Sequence, residues 1–185
     1  AHPQRGRTRN AGRAFTTPQR ALGMGIILKD RYEVVEQIGR GGMAEIFRAR
    51  IRGPHGFAKE VCIKRILPLL SSHPGFEAMF LDEARIAAAL RHAGIVQVFD
   101  FDRDEEGNFF IVMEYVDGVN LKALMLAAAG RGEALEPGFA AALGRSVLQA
   151  LHHAWTREVD GRSLRLVHRD LSPHNILISR EGEIK

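Results

Sequence analysis

His168-Arg169-Asp170-Leu171-Ser172-Pro173-His174-Asn175 sets a carboxylate and a carboxamide five residues apart inside a polar loop. Short apolar runs bound it, Leu166-Val167 before and Ile176 to Ile178 after, so the loop reads as a connection between two anchored segments. A carboxylate in such a place can orient a hydroxyl and accept its proton, and an amide oxygen can ligate Mg²⁺. Asp170 and Asn175 fit those two roles. A solvated surface turn uses the same residue types, so the reading depends on what accompanies the loop.

Upstream, Tyr32, Val34, Glu36 and Ile38 alternate against Glu33, Val35 and Gln37 as a strand does. Glycines follow in Gly39-Arg40-Gly41-Gly42-Met43-Ala44, then a return strand over 45–50, a turn at Gly53-Pro54-His55-Gly56 and a third strand over 60–66. The order predicts an antiparallel meander. A loop with so few bulky side chains lets its backbone approach phosphates closely. A dinucleotide fingerprint would open a helix, whereas this loop opens a strand.

On the third strand, alternation puts Lys64 and Cys62 on one face and Val61 and Ile63 on the other. Ser71, Ser72 and Pro74 supply helix-start chemistry, and Phe76, Met79, Phe80, Ile86, Ala87 and Leu90 recur at helical spacing. Glu83 falls on that stripe, and an inward carboxylate needs a cation, which Lys64 supplies; the bland alternative has Glu83 at the rim, reaching water. Strands over 95–101 and 108–116 follow, joined by a polar turn at 103–107. After Asp117-Gly118 the pattern turns helical, with Asn120 as a cap and a second helix from Pro137 to about Thr156. A polar stretch over 157–165 leads back to the loop, and Ile184-Lys185 opens a further strand.

This ordered set of glycine loop, Lys64, Glu83 and H-R-D-L-x-x-x-N loop resembles the protein kinase family, from Tyr32 onward, and its Gly-Gly-Met and Ser-Pro-His-Asn stretches resemble bacterial members. The resemblance implies an α+β, two-lobed fold: a basic leader over 1–25, expected to be disordered, a complete antiparallel small lobe over 26–116, and over 117–185 the beginning of a helical large lobe that stops short of the D-F-G segment. It implies ATP and Mg²⁺ as cofactors and a protein hydroxyl, Ser or Thr, as acceptor. Asp170, Lys64 and Glu83 take the catalytic positions and Asn175 the Mg²⁺ position. Gly39, Gly41, Gly42 and Ala44 meet the phosphates; Ile38, Ile46, Cys62 and Leu177 sandwich the base. Met113 is the gatekeeper, with the backbone of Glu114 and Val116 facing adenine. Ala44 and Ser172 depart from the pattern, the latter standing where a lysine usually touches the γ-phosphate. The alternative is a nucleotide-binding pseudokinase or scaffold.

Composition bounds the partners. Five arginines and no acid lie in 1–25; removing them from the 26 basic residues leaves 21 against 22 acids, so the patterned part has no basic surplus and nucleic-acid binding is not expected. No apolar run approaches the ~18 residues that span a bilayer. The single cysteine, Cys62, forms no internal disulfide, which fits a cytoplasmic setting. His152-His153 reads as helix-end chemistry rather than a metal site.

Overall fold

The computed structural model describes residues 22–71, 75–159 and 161–185. Its first half is a curled six-stranded antiparallel sheet of β1 (Ile27–Leu28), β2 (Tyr32–Arg40), β3 (Ala44–Arg52), β4 (Ala58–Ile66), β5 (Val98–Arg103) and β6 (Phe109–Glu114). The spatial order is β1-β2-β3-β4-β6-β5, so the expected meander is β2-β3-β4, and the last two strands join it out of sequence order. β6 lies next to β4, and β5 takes the edge. Composition explains the swap: Phe110 and Val112 on β6 are fully buried, whereas β5 carries Asp100, Asp102 and Arg103, charges that suit an edge. β5 also begins at Val98 rather than Ile95, because the chain must first turn at 93–95 to leave the preceding helix.

Period-two alternation divides the sheet into two faces. Phe47, Ala49, Val61, Ile63, Phe110 and Val112 form one core with Leu28, Tyr32 and Val34. The expected leader boundary moves back here: Leu22 and Ile26 pack on this core, and Gly25 N–H donates to the Val34 carbonyl at 2.8 Å. Residues 1–21 of the leader lie outside the described residues. On the opposite face a second core joins Ala44, Ile66 and Phe109 to Phe80.

Phe80 belongs to α2 (Phe76–Ala89), which follows the short α1 (Pro68–Ser71). Gly75, at φ 81°, precedes α2 without a side-chain cap; the expected start signals at Ser72 and Pro74 fall outside the described residues. Helical positions 76, 80 and 84 form the inward stripe, with Phe76 and Phe80 stacked at 5.9 Å and Phe80 4.9 Å from the Phe109 ring.

Beyond the sheet, β7 (Gly118–Asn120) leads into α3 (Leu121–Gly130), capped as read from sequence: the Asn120 side chain accepts from Ala123 N–H at 2.8 Å. α4 (Pro137–Thr156) starts at its proline and ends at Thr156. The polar stretch after it holds an unforeseen hairpin, β8 (Glu158–Val159) with β9 (Arg162–Ser163). β10 (Leu177–Ser179) then pairs antiparallel with β7, and Ile184 forms a bridge with Ile178. No helix among the described residues is long and apolar enough to cross a membrane.

The junction between the loop after α2 and the end of α4 is titratable. His92 and His153 lie with ring centroids 5.1 Å apart, and His153 Nε2 is buried without a hydrogen-bond partner among the described residues. Burial first, then the neighbouring His92 and Arg157, hold the His153 pKa below the ordinary histidine value. A base with a lowered native pKa keeps its full contribution above its unfolded pKa of about 6.5 and loses it as pH falls below that. The melting temperature is therefore expected to fall between pH 7.5 and 5.5, and to fall less in His153→Phe. Equal slopes in the two proteins would remove His153 from the effect.

Candidate active site

The second face of the sheet, partly roofed by α2, is open at its other end. Pairing register aligns Ile46 with Lys64 and Lys64 with Ile111, and Cys62 with Met113. Ile46, Cys62, Lys64, Ile111 and Met113 are all half-buried, while their neighbours Phe47, Val61, Ile63 and Val112 are fully buried. The sheet thus brings four of the sequence-predicted residues onto one accessible wall. Burial pushes the Cys62 thiol up to about 11, with nearby Lys64 pulling the other way, so it stands as a neutral, small filler.

The glycine loop joins β2 to β3 above this wall. Gly41 N–H donates to the Ala44 carbonyl at 2.9 Å, and Gly39 is paired with Ile46. Nothing lies within 4 Å of a Cβ placed on Gly42, so that limb is open rather than packed. Ile38 is 47% exposed at its base.

At the far edge of the wall, Glu114 is held from both sides. Its N–H donates to the Gln97 carbonyl at 2.8 Å, its carboxylate accepts from Gln97 N–H at 3.2 Å, and Lys185 Nζ donates to it at 2.6 Å. The Glu114 amide hydrogen is therefore already used. Two residues on, the half-buried Val116 has no hydrogen bond to its N–H among the described residues. A half-buried free amide wants an acceptor, and a heteroaromatic ring nitrogen would fit it. Leu177 lies on β10, paired with Asn120, in the second sheet.

The loop over 168–175 is ordered by its own side chains. Asn175 Nδ2 donates to the Asp170 backbone oxygen at 2.9 Å and to Asp170 Oδ2 at 2.8 Å. This occupies the donor end of the amide and leaves Asn175 Oδ1 without a hydrogen bond among the described residues. One carboxylate oxygen of Asp170 likewise stays free. Arg169, at φ 62°, turns the chain between His168 and Asp170, whose N–H donates back to the His168 carbonyl at 2.8 Å. The free hard oxygen of Asn175 suits Mg²⁺, which takes one or two protein oxygens and completes its shell with phosphate and water, and the free oxygen of Asp170 suits a hydroxyl donor. No group of three His, Cys, Asp or Glu suited to a metal occurs among the described residues, His152 and His153 included.

One expected contact is not made. Glu83 is exposed, and no ion pair joins it to Lys64 among the described residues. The reason lies in the phase of α2: with 76, 80 and 84 turned inward, Met79 is 59% exposed and Glu83, one turn after it, follows to the same flank. Counting Met79 into the buried stripe misplaced Glu83. The residue that sequence reasoning passed over is Arg65, buried at 4% exposure. Its signal was legible: next to Lys64 in a strand, it must occupy the core face, where a charge needs partners.

A cavity of about 270 Å³ between α4 and the loop is lined by Val147, Leu151, Leu166 and Leu171 as well as His168 and Asn175. Its walls are mostly apolar and include none of the glycine-loop residues or of the residues on the open wall.

Comparison with known proteins bears on the family and the fold. Residues 32–185 match the protein kinase domain family. The chain is 38% identical over 156 residues to a protein named tyrosine-protein kinase MasK of Myxococcus xanthus, covering 83% of this chain and 24% of that one. It is 34% identical over 158 residues to the serine/threonine-protein kinase PrkC of Bacillus subtilis, covering 85% and 22%. The crystal structure of the PknI kinase domain of Mycobacterium tuberculosis superposes with a TM-score of 0.69 at 30% identity, over 89% of this chain and 61% of that one. The chain thus spans about a quarter of the curated relatives and under two thirds of the solved kinase domain.

Proposed function

Because this chain belongs to the protein kinase family, we propose that the protein it forms part of transfers the γ-phosphoryl group of ATP to a serine or threonine hydroxyl of a protein. The observation that carries this reading is the hydrogen-bonded Asp170 and Asn175, each left with one free oxygen, together with a lysine fixed by strand register on an open wall. Asp170 orients the acceptor hydroxyl and takes its proton, while Asn175 offers an oxygen to Mg²⁺, which would neutralise charge on the phosphates. Lys64 supplies a cation toward the phosphates, Gly39, Gly41 and Gly42 allow the backbone to close over them, and the Val116 amide donates to the base. Ile38, Ile46, Cys62 and Leu177 shape the base site, and Met113 limits its depth. A cytoplasmic site of action fits ATP as donor.

Ser172 and the relative named a tyrosine kinase favour a second reading of the acceptor, tyrosine; phosphoamino-acid analysis of the product separates the two. Nucleotide binding itself is tested in a chain extended through the rest of the kinase domain. Lys64→Met is expected to weaken an ATP analogue at least about tenfold, the worth of one charge-assisted contact, while leaving the melting curve in place, since Lys64 makes no ion pair among the described residues. Wild-type affinity in that variant, measured by calorimetry, would place the lysine outside the site.

A further inference from the structure

Arg65 sits back to back with Lys64, on the face of β4 that the cleft does not use. Its side chain is 5% exposed and meets three carboxylates: Nε donates to Asp104 Oδ2 at 2.7 Å, Nη2 to Glu106 Oε2 at 2.8 Å, and Nη1 lies 3.6 Å from Glu45 Oε2. Asp104 is itself held, accepting from the Asn108 N–H at 2.8 Å and the Glu106 N–H at 3.0 Å. The anchor on the β5–β6 side is therefore rigid. On the other side Glu45 is the first residue after the glycine loop, 9% exposed, and its second cationic neighbour is Arg40 at 3.7 Å, on the opposite limb of the same loop. Two residues beyond Arg65, Leu67 N–H donates to the Met43 carbonyl at 2.9 Å. The end of β4 thus grips the return limb of the loop twice, once by backbone and once through a buried charge.

Such a cluster is not explained by stability alone, because buried ion pairs replaced by apolar groups of like volume often leave a fold as stable or more so. A planar fork that reaches carboxylates on separate segments does what an apolar side chain cannot: it fixes their relative direction. We propose that Arg65 is a positioning residue that pins the return limb of the glycine loop through Glu45, so that phosphates close against a fixed limb while the unpacked tip at Gly42 stays free to move. The inference rests on the nucleotide-binding reading above. With the pin intact, less backbone freedom is lost when nucleotide binds; without it, that ordering falls on the binding step.

The test uses Glu45→Gln in the extended kinase domain, which keeps the shape of Glu45 and leaves Arg65 its bonds to Asp104 and Glu106. Hydrogen exchange at the Gly41 amide, which depends on the loop and not on nucleotide, is expected to quicken. The Kd for an ATP analogue and the KM for ATP are expected to rise roughly tenfold, within the range of couplings between contacting residues, with kcat at saturating ATP little changed. A folded Glu45→Gln protein with wild-type Gly41 exchange and wild-type ATP affinity overturns the proposal. Should that variant fail to fold, Arg65→Lys decides: it keeps the charge but loses the fork, and the same two readouts must move, with no change counting against the pin. If the unaltered protein binds no nucleotide, the nucleotide reading fails, and the Gly41 exchange rate still judges the pin by itself.

Discussion

Asp170→Asn, in a chain extended through the kinase domain, is expected to slow phosphoryl transfer by about 10²–10⁴-fold, the usual worth of a positioned general base. An amide still hydrogen-bonds but cannot take up the hydroxyl proton. The loop itself should persist, because Asn175 Nδ2 also bonds the backbone oxygen of residue 170, at 2.9 Å, and that contact does not depend on the carboxylate. Nucleotide affinity should change little, since the role proposed for Asp170 is toward the acceptor hydroxyl. Single-turnover rates with a protein substrate and calorimetric ATP binding on the same preparation check both halves. Rates within a factor of two of wild type would refute the base assignment, whereas no transfer by the unaltered protein would favour the scaffold reading. Loss of rate together with loss of ATP binding would instead mean that Asp170 organises the whole site.

Gly118→Ala is expected to cost about 2–3 kcal/mol, in the range of overpacked cores, and so to lower the melting temperature by roughly 5–10 °C for a chain of this size. The backbone angle at 118 is not the reason. A Cβ there would run into the Ile178 carbonyl, with the Ile178 carbonyl carbon and Ser179 Cα both 2.7 Å away. Those atoms are main chain of β10, held in register by Gly118 opposite Ser179 and Asn120 opposite Leu177, and cannot step aside as a side chain can. β10 begins two residues after Asn175, so the strain should also disturb the loop and lower catalytic rate. Gly144→Ala serves as control: it lies inside α4 with nothing within 4 Å of a Cβ, and alanine there should be neutral or stabilising. A melting temperature for Gly118→Ala equal to that of Gly144→Ala would show that β7 and β10 have room to spare.

The open Lys64 and Glu83 bear on how the site is completed. Lys64 is already placed by β-sheet register, whereas Glu83 rides on a helix whose inward stripe, 76, 80 and 84, leaves it on the exposed flank. The aromatic contacts of Phe76 and Phe80 with Phe109 hold α2 in that phase.

Local periodicity and short motifs carried much of this protein. Alternation alone put Lys64 and Cys62 on one face of a strand, proline and polar residues bounded the helix over 137–156, Asn120 declared itself a cap, and the loop motif singled out Asp170 and Asn175, though not the hydrogen bond between them. These are decisions made within one strand, one turn or one loop, where a residue's neighbours in space are its neighbours in sequence. Tertiary structure decided the rest. It set β6 between β4 and β5, turned Glu83 away from Lys64, drew Leu22 onto the core, joined Glu114 to Lys185, and surrounded Arg65 with carboxylates from two other segments. Arg65 and Asp104 are 39 residues apart and Glu114 and Lys185 are 71 apart. Periodicity tells which face a side chain takes, but whether a charge on that face is satisfied depends on which distant segment packs against it, and that follows from the burial of the whole sheet at once.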